Sequence, residues 1–263
     1  FRQATRDDAP GIVDLINTHA IKDSDKIVIL PKKFRIQSVQ DCVARGRLFV
    51  AAFQDKSTPT PTIIGFKKLF CVTDEEEKDD ILCHELHCIE QNQAVRGLVS
   101  VEQGDISTVT LTFDAKPKSF LADTTYIYNG ADFTHPEHRN KGICSSMTSC
   151  AIKQVQAKVV ENILKKKSSN IAMLYGLTQA NTGAEVFGGR TPGIVKQFVC
   201  LAQNIAQELK CTPPLTFSLS KHPAFMPTFD PEAIECKPLA YSQSVPGFGY
   251  LLGCSLKQSK LAN

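Results

Sequence analysis

FTHPEHRNKGICSSM, residues Phe133 to Met147, places Pro136, Arg139, Asn140, Lys141 and Gly142 directly before a stripe of apolar residues. Ile143, Met147, Ala151, Val155, Val159 and Ile163 recur every four residues, so they share one face of a long helix. Lys165, Lys166 and Lys167 close that helix at the negative end of its dipole. The N–H groups that open a helix have no intrahelical partners, and together they amount to roughly half a positive charge. A glycine-containing turn at that point suits a phosphate. Arg139 and Lys141 add formal charge, Gly142 lets backbone approach a ligand, and Ser145 and Ser146 add hydroxyls. The stretch therefore predicts a strand, a tight basic turn and a helix whose first turn faces a pyrophosphate.

Working outward, the flanks read as an α/β pattern. FRQAT (Phe1 to Thr5) is strand-like, and Ile12, Leu15, Ile16 and His19 follow at helical spacing behind Asp7, Asp8 and Pro10. A second helix is expected from about Ile36 to Arg45. Strands are expected over Leu48 to Phe53 and Thr62 to Val72, paired as an antiparallel hairpin across the proline-rich QDKSTPTPT. Val99 to Phe113 suggests a hairpin around Gly104-Asp105, and Thr124 to Thr134 a strand with Gly130 inside it. Asn170 to Asn181 is apolar enough for a strand buried on both faces. Thr191 as cap and Pro192 as first helical residue then predict a helix carrying Ile194, Phe198, Ala202, Ile205 and Leu209 on one face. LTFSLS and GYLLGCSL supply further short strands.

Composition narrows the class without deciding it. The chain has 263 residues, 42% hydrophobic and 22% charged, which is the apolar supply of a globular protein. Thirty basic and 27 acidic residues leave a net charge of +3, too small to predict nucleic-acid binding. No apolar run approaches the ~20 residues of a membrane span, so a membrane partner is not expected. The ten cysteines are scattered and no secretory signal precedes them, which favours reduced thiols and a cytoplasmic setting. Because the chain starts at Phe1 and not at a methionine, the missing signal says little about compartment.

Other phosphate motifs fit worse: neither GxxxxGK followed by Ser or Thr nor an early GxGxxG occurs. Arg139-Asn140-Lys141-Gly142-Ile143-Cys144 instead resembles the acyl-CoA loop of the GCN5-related N-acetyltransferases: Arg or Gln, two residues, Gly, one residue, then Gly or Ala. It departs from that pattern at Cys144. Phe133 to His138 is similar to the family's lead-in, and the element order also follows the family, with the resemblance sharp from about Tyr126 to Phe187.

The resemblance implies an α/β (α+β) fold, with a mixed, mostly antiparallel sheet splayed between its fourth and fifth strands and flanked by helices. Residues 1–207 would form an acyl-CoA N-acyltransferase-like domain with an insertion at about 73–118, and 208–263 would complete or extend it. It also implies transfer of an acyl group, usually acetyl, from CoA to an amine by direct attack, with no metal. The acceptor would be a small molecule or a protein lysine or N-terminus. Backbone of Phe133 and Thr134 would bond the pantetheine arm. Arg139, Asn140, Lys141, Gly142, Ile143, Cys144 and Ser145 would hold the pyrophosphate. Asn181 in QANTGAEVF resembles the asparagine after the family's fifth strand. Phe187-Gly188 stands where many members have Leu-Tyr, so the tyrosine that commonly protonates the leaving thiolate is absent.

An attacking amine must lose a proton, and the thiolate must be stabilised. Asp132, Tyr128 and Tyr126 share one strand face by period two, and Tyr175 lies on the next strand. Asp132, Tyr128 and Tyr175 are therefore the catalytic candidates, with Asp132 as acceptor of the amine proton; packing tyrosines and a strand-ending aspartate are the alternative. Cys144 is expected to pack, and His135 and His138 to flank the cup at the surface. CHELHC (Cys83 to Cys88) lacks the second histidine of HExxH, and DEEEKDD reads as a solvated helix start. Two other readings remain: a non-catalytic acyl-CoA-binding or partner-binding module on the same fold, and an unrelated α/β phosphate binder.

Overall fold

Asp8 ends the first strand early. Thr5 donates to Asp8 Oδ2 from its backbone N–H at 2.7 Å and from its hydroxyl at 2.9 Å, and Arg2 grips the same carboxylate with both terminal nitrogens at 2.6 and 2.8 Å. The chain is drawn into one 3-10 turn (Arg6–Asp8), so β1 is only Arg2–Gln3 and not the five residues expected. Helix α1 (Ala9–Leu15) follows with Pro10 in its first turn, where a missing N–H costs nothing, and runs into a π-helical turn, Ile16–Ala20.

These details come from a computed structural model that describes residues 1–20, 35–54, 61–73, 95–101, 109–113, 124–179, 184–228 and 240–258. The further elements are α2 (Ile36–Ala44), β2 (Leu48–Phe53), β3 (Thr62–Cys71), β4 (Val95–Val101), β5 (Val109–Phe113) and β6 (Thr124–Thr134). They are followed by α3 (Ile143–Lys166), β7 (Asn170–Gln179), α4 (Ala184–Glu208), β8 (Cys211–Thr212), β9 (Thr216–Thr228), β10 (Ala240–Ser255) and β11 (Lys257–Gln258). The fold is a mixed, mostly antiparallel α/β arrangement, as the sequence predicts. Contacts divide it into two compact units: Phe1–Phe70, Asn129–Val155 and Phe225–Pro246, then Cys71–Tyr128, Gln156–Ala224 and Gly247–Asn263. β6 and α3 run through both.

In the first unit the strands lie in the order β1-β2-β3-β6. β2 and β3 form the expected antiparallel hairpin, from Leu48 opposite Lys68 to Phe53 opposite Thr62. The His135 N–H donates to the Ile64 carbonyl at 2.8 Å, fixing the exit of β6 beside β3. Ile12, Leu15 and Ile16 of the first helical segment and Val39 and Val43 of α2 bury their apolar stripes against Val50, Ile63, Phe66 and Phe133. A separate cluster joins Ala51 and Ile64 to Met147 and Ile143 in the first turns of α3. Gly65 permits that approach: a Cβ there would stand 3.0 Å from the Met147 methyl and 3.2 Å from the Phe133 carbonyl.

The second unit orders its strands β6-β7-β10-β9-β4-β5. β6 and β7 are neighbours joined through α3, the kind of crossover that parallel neighbours need. The C-terminal strands are longer than the short pieces expected: β10 pairs antiparallel with β7, from Gly247 opposite Gln179 to Ser255 opposite Asn170. β4 and β5 pair antiparallel as expected, and β4 also pairs with β9. Helix α3 buries Met147, Ala151, Val155, Val159 and Ile163 to 6% exposure or less, the stripe read from the sequence. Each larger apolar side chain there contributes about 1.5–3 kcal/mol, so Val159→Asp would break the helix's seat. Lys167 ends α3 in the left-handed region at φ 52°.

One expectation fails at α4. Helical structure begins at Ala184, not at a Thr191 cap, and continues through Gly188 and Pro192. A proline removes its own N–H and crowds one carbonyl a turn earlier, which a helix accommodates when packing beyond it is strong. That packing comes from Val195, Phe198, Val199, Leu201, Ala202, Ile205 and Ala206, all fully buried.

Candidate functional site

The basic turn forms at the exit of β6. His135 leads into a 3-10 turn (Pro136–His138), and its Nδ1 accepts from the Glu137 N–H at 3.3 Å. Asn140 then lies at φ 61° and Gly142 at φ 73°, with Lys141 between them at ordinary negative φ. Left-handed and right-handed residues in alternation turn successive N–H groups toward one concavity, the geometry that holds anions. Asparagine tolerates the first of these conformations and glycine the second. The Gly142 carbonyl then accepts the first helical bond: the Ser146 N–H reaches it at 3.0 Å.

Arg139 closes this turn. Its Nε donates to the Thr134 carbonyl at 3.2 Å, and its guanidinium lies 5.4 Å over the Phe133 ring. Phe133 is buried, and its carbonyl lies beside Gly65 of β3. The Thr134 carbonyl already has one donor but keeps a second lone pair. Asn140, Lys141, Gly142, Cys144 and Ser145 are exposed, while Ile143 is half-buried against Ala51, Ile64 and Met147. Beside them an open groove of about 500 Å³ runs along α3, lined by Phe1, Ser145, Ser146, Ser149, Cys150, Lys153 and Gln154.

Cys144 does not pack as expected. Its thiol points outward and donates to Asp132 Oδ2 at 3.5 Å. Seven cysteines among the described residues are free thiols. Burial pushes the Cys71 and Cys254 thiols up to about 12.

The three catalytic candidates are placed differently. Asp132 is half-exposed and pairs with Lys67, whose Nζ lies 3.4 Å from Oδ2. Tyr128 is half-buried on β6, and Tyr126 is buried to 2%. Tyr175 lies on β7 opposite Tyr250. Asn181 falls outside the described residues, as do CHELHC and DEEEKDD. Gly188 is within α4.

Lys67 escaped the sequence reading, although a signal was there. The signal is the apolar run on both sides of Lys67-Lys68, which reads as a strand packed on both faces and so leaves neither lysine fully in solvent. Lys68 is half-buried, with its Nζ 5.7 Å from the Phe70 ring centre. A second feature not foreseen is a ring cluster. His19 meets His135 at 4.1 Å between centroids, His135 meets His138 at 5.5 Å, and Phe53 lies 6.2 Å from His138. Burial, with help from His19 and Arg139 and against Glu137, holds His135 below its usual imidazole range. The two histidines thus flank the turn as expected, but as half-buried members of that cluster.

Among the described residues, no group of His, Cys, Asp and Glu is arranged to hold a metal ion, and no helix is long and apolar enough to cross a membrane. The residues define an exposed basic turn at the head of a helix on a mixed α/β fold.

The chain matches no protein-family model and no curated protein in sequence. Among solved structures it is similar to an N-acetyltransferase from Staphylococcus aureus Mu50, at 12% identity and a TM-score of 0.40 over 97% of each chain. It is also similar to a polyamine N-acetyltransferase from Drosophila melanogaster, at 7% identity and 0.37 over 97% of this chain and 98% of that one. The yncA protein of Salmonella typhimurium, solved with acetyl-CoA, matches at 8% identity and 0.35 over 100% and 96%.

Proposed function

We propose that the chain is an acyl-CoA-dependent N-acyltransferase of the GCN5-related kind, transferring acetyl from acetyl-CoA to a primary amine. The observation that carries this reading is the Arg139–Gly142 turn, which combines the family's loop pattern with alternating backbone hand, two cations and an exposed helix start. In this reading the pyrophosphate lies on Arg139, Asn140, Lys141, Gly142, Ile143, Cys144 and Ser145. The pantetheine lies along the backbone of Phe133 and Thr134, and Asn181 is a further expected contact. The amine attacks the thioester directly in a ternary complex, so atoms balance as amide plus free CoA, with one proton released from the amine and one taken up by the thiolate. The amine proton goes to Asp132, directly or through water, while Tyr128 and Tyr175 are candidates for stabilising the thiolate.

The domain reading is residues 1–207 with an insertion at about 73–118 and a C-terminal extension. The compartment in this reading is a reducing, cytoplasmic one. The acceptor is a small molecule or a protein lysine or N-terminus.

Free-thiol release from acetyl-CoA in the presence of an amine panel tests the reaction, beside calorimetric titration with CoA. Release with at least one amine is expected. Asp132→Asn with unchanged turnover across pH removes the proton assignment. Gly188 in place of the usual tyrosine favours one second reading, a non-catalytic acyl-CoA-binding module. Tight CoA binding without turnover on any amine would establish that instead. Thermal protection by another nucleotide and not by CoA would point to an unrelated phosphate binder.

A further inference from the structure

Lys67 is a charged group that the proposed reaction does not use, and its side chain is 3% exposed. A buried ammonium is retained only when something opposes its charge. Among the described residues its partner is Asp132, at 3.4 Å, and Asp132 is 47% exposed on the other side of the contact. The same Asp132 oxygen accepts from the Cys144 thiol in the first turn of α3. A carboxylate thus stands beside the helix start to which Arg139, Lys141 and the exposed N–H groups would draw a diphosphate.

Left alone, that half-exposed carboxylate would repel the ligand, more strongly at low salt than at high. We propose that Lys67 is a positioning residue for the anion site: from inside the fold it holds Asp132 and cancels its charge. The turn then acts on a diphosphate with its full positive field. The arrangement explains why a lysine is buried on β3 beside the turn, and why an acidic side chain is tolerated there. It rests on the acyl-CoA reading of the turn only for the identity of the ligand, and it is compatible with Asp132 also accepting a proton.

The test is a charge cycle read with two probes, CoA and inorganic pyrophosphate, by calorimetry at low and high salt on the purified chain. Lys67→Met should weaken both by on the order of tenfold at low salt, with the gap narrowing as salt screens it. Lys67→Met combined with Asp132→Asn should restore the affinity, and Lys67→Arg should retain most of it. Circular dichroism melts check that each variant folds. Should Lys67→Met fail to fold, Asp132→Asn alone decides: binding unchanged or tighter upholds the proposal, and weaker binding overturns it. Unchanged affinity in a folded Lys67→Met, or no recovery in the double variant, also overturns it. A wild-type chain that binds pyrophosphate with this Lys67 dependence but not CoA upholds the charge role and removes the acyl-CoA reading. A wild-type chain that binds neither probe overturns both.

Discussion

Arg139 donates from Nε to the Thr134 carbonyl at 3.2 Å, so the guanidinium ties the basic turn back to the last residue of β6. A guanidinium presents several donors in one planar fork, so the group that holds the carbonyl can also meet a phosphate. Arg139→Ala loses both closure and charge, and CoA affinity should fall by about tenfold or more. Arg139→Lys should recover only part of that loss, because an ammonium cannot serve carbonyl and phosphate in one planar fork. Calorimetric titration of the three proteins checks the order; equal affinity for the arginine and lysine forms would contradict it.

Gly142 sits at φ 73° with no atom within 4 Å of where a Cβ would stand. Alanine there meets no clash, only the left-handed penalty of about 1–2 kcal/mol. Gly142→Ala should therefore fold and melt a few degrees lower. Its CoA affinity should fall further than the stability change suggests, because the turn no longer presents its N–H groups in the same curve. A melt and a titration on one sample separate the two effects.

His135 holds its proton less readily in the folded chain than the ordinary value of 6.5, chiefly through burial. Between the folded value and 6.5 the unfolded chain binds more protons, so stability rises with pH across that window. The contribution is fully present above about pH 6.5 and is lost as pH falls toward the folded value. His135→Asn keeps a short acceptor for the Glu137 N–H and removes the titration. Denaturant midpoints from pH 5 to 7.5 should slope less in the variant than in the wild type; parallel slopes would refute the account.

Thiol reactivity follows thiolate content and access. Cys71 and Cys254, buried and pushed up to about 12, should resist alkylation in the folded chain. Cys144, exposed at the head of α3, should react first among the described cysteines. Saturating CoA should slow that reaction and leave the others unchanged. Mass mapping of labelled peptides over time reads each site, and unprotected Cys144 would place CoA elsewhere.

Much of the fold was legible because local periodicity carried it. LFVAAF is β2 to the residue, Thr124–Thr134 is β6, and the four-residue stripe beginning at Ile143 is α3. Each is a short-range pattern that the packed fold does not override. The start of α4 was misread because Thr191-Pro192 carries a strong local start signal, while the burial that sustains the helix through it lies downstream, from Val195 onward.

The sequence by itself determined the basic turn: Arg139 to Gly142 supplies charge, a tolerated left-handed asparagine and a glycine, all within reach of one helix start. These are properties of consecutive residues, so no long-range contact is needed to find them. Only the tertiary structure decided what Asp132 faces, because Lys67 lies 65 positions earlier in the chain and comes within 3.4 Å of it through the sheet. It likewise turned Cys144 outward and gathered His19 with His135. Charge compensation and side-chain burial depend on which strands lie side by side, and residue order alone does not fix that pairing.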